Sequence, residues 1–354
     1  MLSAMKAIIE ITVVLLLALL ALDTARGQAL PELEPASRPD IVILQGVEQA
    51  QSFLEAESWW GEMTRGDQLE APRILLTGIP AGWQESSRDL PLHSKKEFFY
   101  RFTLPLILHA NELIRQRRAE LRELQQSIAA GLDFNQQQRQ WLAQISEPLE
   151  VADLDQLTAM NSQELEELLS ELLYRIDEVP AGLALGQAAF ESGYGTSRFA
   201  VEGNALFGQW TFDGSGLEPR QQREDLGDYS IATYNWPFES VKSYMLNLGR
   251  HPAYEEFRQL RAEARAANRP LDSLELAPGL INYSERGQEY VDTLMDIIEV
   301  NDLQLTDAAR LRDEPIRYLI GTDTDTETEQ LRAQLEQLQQ TGEILRFINR
   351  MQLD

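Results

Sequence analysis

Apolar and polar positions follow different rhythms in different parts of this chain. Through FFYRFTLPLILHANELIRQRRAELREL the residues Phe98, Phe102, Leu106, His109 and Leu113 recur at three- and four-residue steps. That spacing predicts a long helix with one buried face, kinked at Pro105. SKKE at 94–97 fits a capping box at its start, Ser94 and Glu97 satisfying each other's backbone donors. Helical runs are also expected at 136–145 and 162–176. The next stretch, VPAGLALGQAAFESGYGTS from Val179, is almost entirely small or apolar, so a helix opening at Pro180 is expected to be buried. Gly193 and Gly195 offer the positive φ that ends it. The segment WTFDGSGLEPRQQREDLGDYSIATYNWPFES then breaks into short pieces. Turn signals at 213–214 and 226–228 and the alternation of YSIATY predict a small hairpin. Helical spacing returns in SVKSYMLNLGRHPAYEEFRQLRAEAR and LINYSERGQEYVDTLMDIIEVNDL.

The two ends read differently. Lys6 precedes the apolar run ITVVLLLALLAL at 11–22, bounded by Glu10 and Asp23 and followed by Ala25 and Gly27. Residues 1–27 are therefore expected to be a signal peptide or, if uncleaved, a membrane anchor, which places the protein in the periplasm or outside the cell. Residues 28–93 form an N-terminal extension with a Pro- and Glu-rich start and short apolar clusters at 41–44 and 74–76. Trp59 and Trp60 within it are expected to pack, with sugar stacking as the alternative. A helical region at 94–178 leads into a core domain at 179–305. Residues 306–354 are an acidic linker and a helix, with Leu331, Leu335 and Leu338 at roughly heptad spacing. That helix is expected to dock on its own domain; pairing with another chain stays open, and with it the oligomeric state.

Composition narrows the function. A net charge of −26 over 354 residues argues against nucleic acid as a partner. The chain has no cysteine and three histidines, without metal-ligand spacing, so no metal and no cofactor is expected.

One carboxylate stands out. Glu191 falls in the last turn of the buried helix, where the dipole is partly negative and the preceding residues are apolar. Both effects favour the neutral acid, the form a general acid needs, and glycosidic cleavage is a common chemistry that uses one.

AAFESGYGTS followed by GNALFGQW resembles the signature of the N-acetylglucosaminidases of glycoside hydrolase family 73, A-A-x-E-S-G-W-G-x-S and then N-N-L-F-G. Among them the Bax-like periplasmic proteins are similar over roughly 94–305. Two departures are Tyr194, where tryptophan is usual, and Ala205, where a second asparagine is usual. The resemblance implies a mainly α (α+β), lysozyme-like helical domain with a small β-hairpin lobe, preceded by an N-terminal helical extension, with the cleft between the lobes. It implies endo-β-N-acetylglucosaminidase action on peptidoglycan glycan strands with Glu191 as acid. By its place in YSERGQEY, Tyr283 corresponds to the tyrosine that faces the acid. A second carboxylate is expected from the hairpin, Glu224 ahead of Glu218, unless the substrate's own N-acetyl group takes that role. Tyr234 and Tyr290 are weaker candidates for that tyrosine's role, Tyr290 being expected to hold a buried hydroxyl with a structural partner; Asn204, Trp210 and Tyr234 are the expected substrate-binding residues, while Phe207 is expected to pack. Gln187 with Glu191 and Ser192 also resembles lytic transglycosylases, and a glycan-binding scaffold is the non-enzymatic alternative.

Overall fold

The strands of the main sheet come from opposite ends of the chain. The computed structural model describes residues 40–61, 69–212, 214–220 and 229–341. It begins with β1 (Asp40–Gln45), α1 (Gly46–Ala56), β2 (Glu70–Ala71), β3 (Ile74–Leu76) and α2 (Trp83–Ser86). The helices α3 (Leu92–Ala129), α4 (Gln136–Ser146), α5 (Leu154–Ala159) and α6 (Ser162–Arg175) follow. Next come α7 (Ala181–Ser192), α8 (Arg198–Gly203), β4 (Trp210–Thr211), β5 (Ser230–Ile231), α9 (Pro237–Arg250) and α10 (Glu255–Ala266). The chain continues through α11 (Ser273–Leu276), α12 (Gln288–Val300), β6 (Arg310–Leu311), β7 (Arg317–Thr322) and α13 (Asp325–Thr341). The fold is thus mainly α with small sheets. The expected signal or anchor at 1–27 lies outside the described residues, and no described helix is long and apolar enough to cross a membrane.

β7 is the middle strand of a parallel sheet in the order β1-β7-β3, with Asp40 and Ile74 both opposite Arg317. The N-terminal extension therefore supplies strands. IVIL and ILL are runs of branched apolar residues that suit a pleated, half-buried surface. Parallel neighbours need long crossovers, and here most of the protein is the crossover. Glu57, just after α1, takes both Arg317 Nη atoms at 2.6 Å, which holds its carboxyl below the usual range and ties α1 to β7. α13 packs on β1 and β7 through its leucines, Leu335 being buried. This is the docking on its own domain that the leucine spacing suggested.

α3 runs 38 residues, about 57 Å. It passes through Pro105, which has no N–H to give the carbonyl of Arg101. The indole of Trp59 donates to that carbonyl at 3.0 Å instead, so the buried Trp59 is a helix partner. Trp60 packs on Phe98 at 4.6 Å. The predicted capping box at Ser94 is absent: the helix opens one turn's fraction earlier at Leu92, behind Pro91, and Glu97 turns to Gly61 N–H and Arg101. Capping boxes are found instead at Asn135–Gln138, Asp153–Gln156 and Asn161–Glu164, opening α4, α5 and α6.

Two cores share α3. Its first half packs with the sheet, α7, α9 and α12, and its second half joins α4 to α6 around Leu121, Leu142, Leu157, Leu169 and Leu172. Buried arginines close the helix ends that meet between them. Arg261, 1% exposed, donates to the carbonyls of Tyr174 and Arg175 in the last turn of α6 and of Asp177 just past it. Arg258 does the same for Leu248 and His251 at the end of α9. Asp177 balances the cluster through Arg118 and Arg265, which hold its carboxyl below the usual range against the opposing effect of burial.

Candidate active site

α7 positions the candidate acid. Its residues from Ala181 to Ala189 are all buried, and two glycines make this packing possible. A Cβ on Gly182 would lie 2.4 Å from the carbonyl oxygen of Leu303, and one on Gly186 would press on Ile298 and Leu294 of α12. The helix start is pinned by Asp307, whose carboxylate accepts from Gly182 N at 2.9 Å, Ser273 N at 2.8 Å and Ser273 Oγ at 2.5 Å. Burial raises that carboxyl to about 6 in spite of the three donors.

The helix ends where the glycines predicted. Gly193, Tyr194 and Gly195 take φ of 58°, 59° and 74°, three left-handed residues in succession. Ser192 Oγ braces the turn by donating to Ala188 O at 2.5 Å and accepting from Gly195 N at 2.8 Å. The Trp83 indole donates to Tyr194 O at 3.1 Å, so a residue of the N-terminal extension supports the turn beside Glu191.

Glu191 is half-buried, and burial raises its carboxyl from 4.5 to about 7; a hydrogen bond from Tyr290 works in the opposite direction. The carboxyl is therefore about half protonated near pH 7 and increasingly protonated below it. Its surroundings are phenolic. Tyr244 of α9, Tyr254 in the 252–254 turn, Tyr283 ahead of α12 and Tyr290 on α12 all lie within electrostatic reach, and their own hydroxyls are pushed to higher pKa mainly by burial. Gly208 comes close from the GNALFGQW loop, where a Cβ would sit 3.6 Å from Glu191 Oε2. Under this ring Phe207 stacks on Tyr244 with centroids 3.9 Å apart, the packing role expected of it.

Other expected site residues are placed as follows. Tyr283 stacks on Tyr290 at 5.5 Å and donates its hydroxyl to Phe207 O at 2.9 Å, so it orients the loop under Glu191. Tyr290 holds the buried hydroxyl with a structural partner expected of it, accepting from Gln187 Nε2 at 3.0 Å, and it is also the phenol that acts on Glu191 against the effect of burial. Asn204 departs from its expected binding role. Both donors of its amide go to the carbonyls of Tyr234 and Asn235, and its oxygen accepts from Ile79 N, so it joins three backbone segments. Tyr234 is likewise internal, its hydroxyl 2.9 Å from Gln209 Oε1 and 3.1 Å from Ser243 Oγ. Trp210 does face solvent, 46% exposed on β4, which pairs antiparallel with β5, and Phe212 beside it is more open still. Glu224 lies outside the described residues, as do Asp213, Asp225 and Asp228; Glu218 is exposed.

Gln187 carries weight here that its sequence reading gave only to the transglycosylase resemblance. It is wholly buried, donates to the Tyr290 hydroxyl at 3.0 Å and accepts from the Tyr244 hydroxyl. A signal was present: a lone amide in the apolar run LALGQAAF must find partners when buried.

Residues 170–303 match the glucosaminidase family model, described as mannosyl-glycoprotein endo-beta-N-acetylglucosaminidase. Protein bax of Escherichia coli (strain K12) is 33% identical over 130 residues, 37% of this chain and 46% of that protein, so the match spans less than half of its length. The catalytic domain of the autolysin Auto from Listeria monocytogenes is similar at 18% identity over 52% of this chain and 96% of that one. Its TM-score of 0.29 is too low to bear on the fold. Residues 170–303, with Glu191 and its tyrosines inside them, are thus the part of the chain that is similar to the glucosaminidase family.

Proposed function

We propose that this domain hydrolyses β-linked N-acetylglucosamine bonds in peptidoglycan glycan strands, with Glu191 as the general acid. The observation that carries the reading is the place of Glu191, in the last turn of a buried helix and inside the residues that match the glucosaminidase model, where burial raises its carboxyl to about 7. Protonated, it gives its proton to the leaving glycosidic oxygen as the bond to the anomeric carbon breaks; the resulting carboxylate is stabilised by the Tyr290 hydroxyl. Trp210 and Phe212 on the hairpin offer aromatic faces on which a sugar ring can stack. Water is activated either by a carboxylate of the 213–228 segment, Glu224 first, or by the substrate's own N-acetyl carbonyl. The N-terminal apolar run at 11–22 supports a place in the cell envelope, where such strands occur.

The test is mass spectrometry of purified peptidoglycan after digestion by the protein and by Glu191→Gln. The reading requires reducing N-acetylglucosamine ends from the wild type and none from the variant. Anhydro-muramic ends would assign a lytic transglycosylase using the same acid, and an active Glu191→Gln would remove Glu191 from the chemistry.

A further inference from the structure

Acid catalysis by Glu191 needs a raised carboxyl, but it does not by itself need the hydrogen-bonded chain behind it. Gln187 stands four residues before Glu191 on α7, so both side chains leave the same helix face. Its Oε1 accepts from Tyr244 and its Nε2 donates to Tyr290 at 3.0 Å, while Tyr290 and Glu191 act on each other, Tyr290 lowering the Glu191 carboxyl against burial. A carboxylate only accepts, an amide N–H only donates, and a phenol has one proton. While Glu191 is ionised these valences allow one order: Tyr244 O–H to Gln187 carbonyl, Gln187 N–H to Tyr290 oxygen, Tyr290 O–H to Glu191. Turning the amide over would make Tyr290 spend its proton on Gln187 and face the carboxylate with lone pairs.

We propose that Gln187 is a positioning residue that fixes the direction of this chain, so that Tyr290 always presents its proton to Glu191 and the acid's own proton is confined to the carboxyl oxygen that Tyr290 does not touch. The inference rests on the reading of Glu191 as a general acid and deepens it. A general acid delivers its proton from one oxygen, and a carboxyl protonated on the wrong one must first rotate. Gln187 is wholly buried and acts through Tyr290. The titratable groups that act on Glu191 among the described residues are Tyr244 from α9, Tyr254 from the 252–254 turn, Tyr283 ahead of α12 and Tyr290 on α12.

The direct test is a carbon-13 NMR titration of the Glu191 side-chain carboxyl in the full chain without substrate, assigned by its loss in Glu191→Gln. Gln187→Met keeps the length of the side chain and removes both amide groups. Tyr290 is then free to turn its proton away, and the Glu191 midpoint is expected to rise by about one pH unit. Tyr244→Phe removes one hydroxyl and leaves the amide free to turn, so a smaller rise is expected. It also carries the test should Gln187→Met fail to fold. The alkaline limb of the pH–rate profile on peptidoglycan should move with the NMR midpoint, which a mere loss of packing would not bring about. A midpoint unmoved in both variants overturns the proposal. Because the titration needs no turnover, a wild type that releases no product strikes the glucosaminidase reading alone, whereas an unmoved midpoint in an active enzyme strikes the wiring alone.

Discussion

Replacing Glu191 by glutamine should make the protein more stable, and by an amount that depends on pH. Burial lifts the Glu191 carboxyl from 4.5 to about 7, so between those values the folded protein keeps a proton that the unfolded chain has released. Stability therefore falls as pH rises through this window, and the whole cost is present above 7. At about 1.4 kcal/mol per pH unit the shift corresponds to roughly 3.5 kcal/mol. Solvent reaches this half-buried group, which trims the expected cost to about 2 kcal/mol. Glutamine is never charged, and its carbonyl still accepts from Tyr290. Urea unfolding of both proteins should show Glu191→Gln ahead by less than about 1 kcal/mol at pH 5 and by about 2 kcal/mol at pH 8. The same gap at both pH values would refute burial as the cause of the raised carboxyl. The expected gain also states what the site costs: the group that suits the chemistry weakens the helix end that holds it.

Other perturbations separate the scaffold from the cleft. Gly182→Ala drives a methyl into the Leu303 carbonyl, 2.4 Å from the ideal Cβ position, and should cost about 2–3 kcal/mol, read as a fall in thermal midpoint. Arg261→Met leaves the carbonyls of Tyr174, Arg175 and Asp177 without their buried donor and should cost about 3–5 kcal/mol in urea unfolding. Trp210→Ala, on an exposed ring, should change stability by less than about 1 kcal/mol while raising KM for glycan strands about tenfold. An unchanged KM would remove the hairpin aromatics from the binding face.

Much of the site was legible because its signals are local. An unbroken run of small and apolar residues, ended by Gly193 and Gly195, marked a buried helix with Glu191 in its last turn, and the structure has that helix at Ala181–Ser192. The hairpin followed from turn residues and alternation. What escaped depends on partners far away in sequence. Asn204 looked like a binding residue because nothing near it in the chain predicts that Ile79 N and the carbonyls of 234 and 235 will take its amide. Tyr290 was expected to have a partner for a buried hydroxyl, but that partner, Gln187, lies 103 positions earlier and has no local signal. Ser94 matched a capping pattern, yet Glu97 pairs with Arg101 one turn further along the helix and accepts from Gly61 N–H, which only the fold brings to it. The sheet was missed for the same reason: parallel pairing leaves no local turn signal, and β3 is three residues long.

That sheet has a consequence in time. β7 is the strand between β1 and β3, and it is made more than 240 residues after them. During synthesis both N-terminal strands are made long before β7, so the sheet can close only after α3 to α12 have been produced. Trp83, which supports the Glu191 turn, belongs to the part that waits. The fold thereby couples completion of the chain to the setting of its active-site turn: a product cut short before Arg317 would hold the acid and its tyrosines but leave two strand edges open to other chains, and such fragments are expected to aggregate.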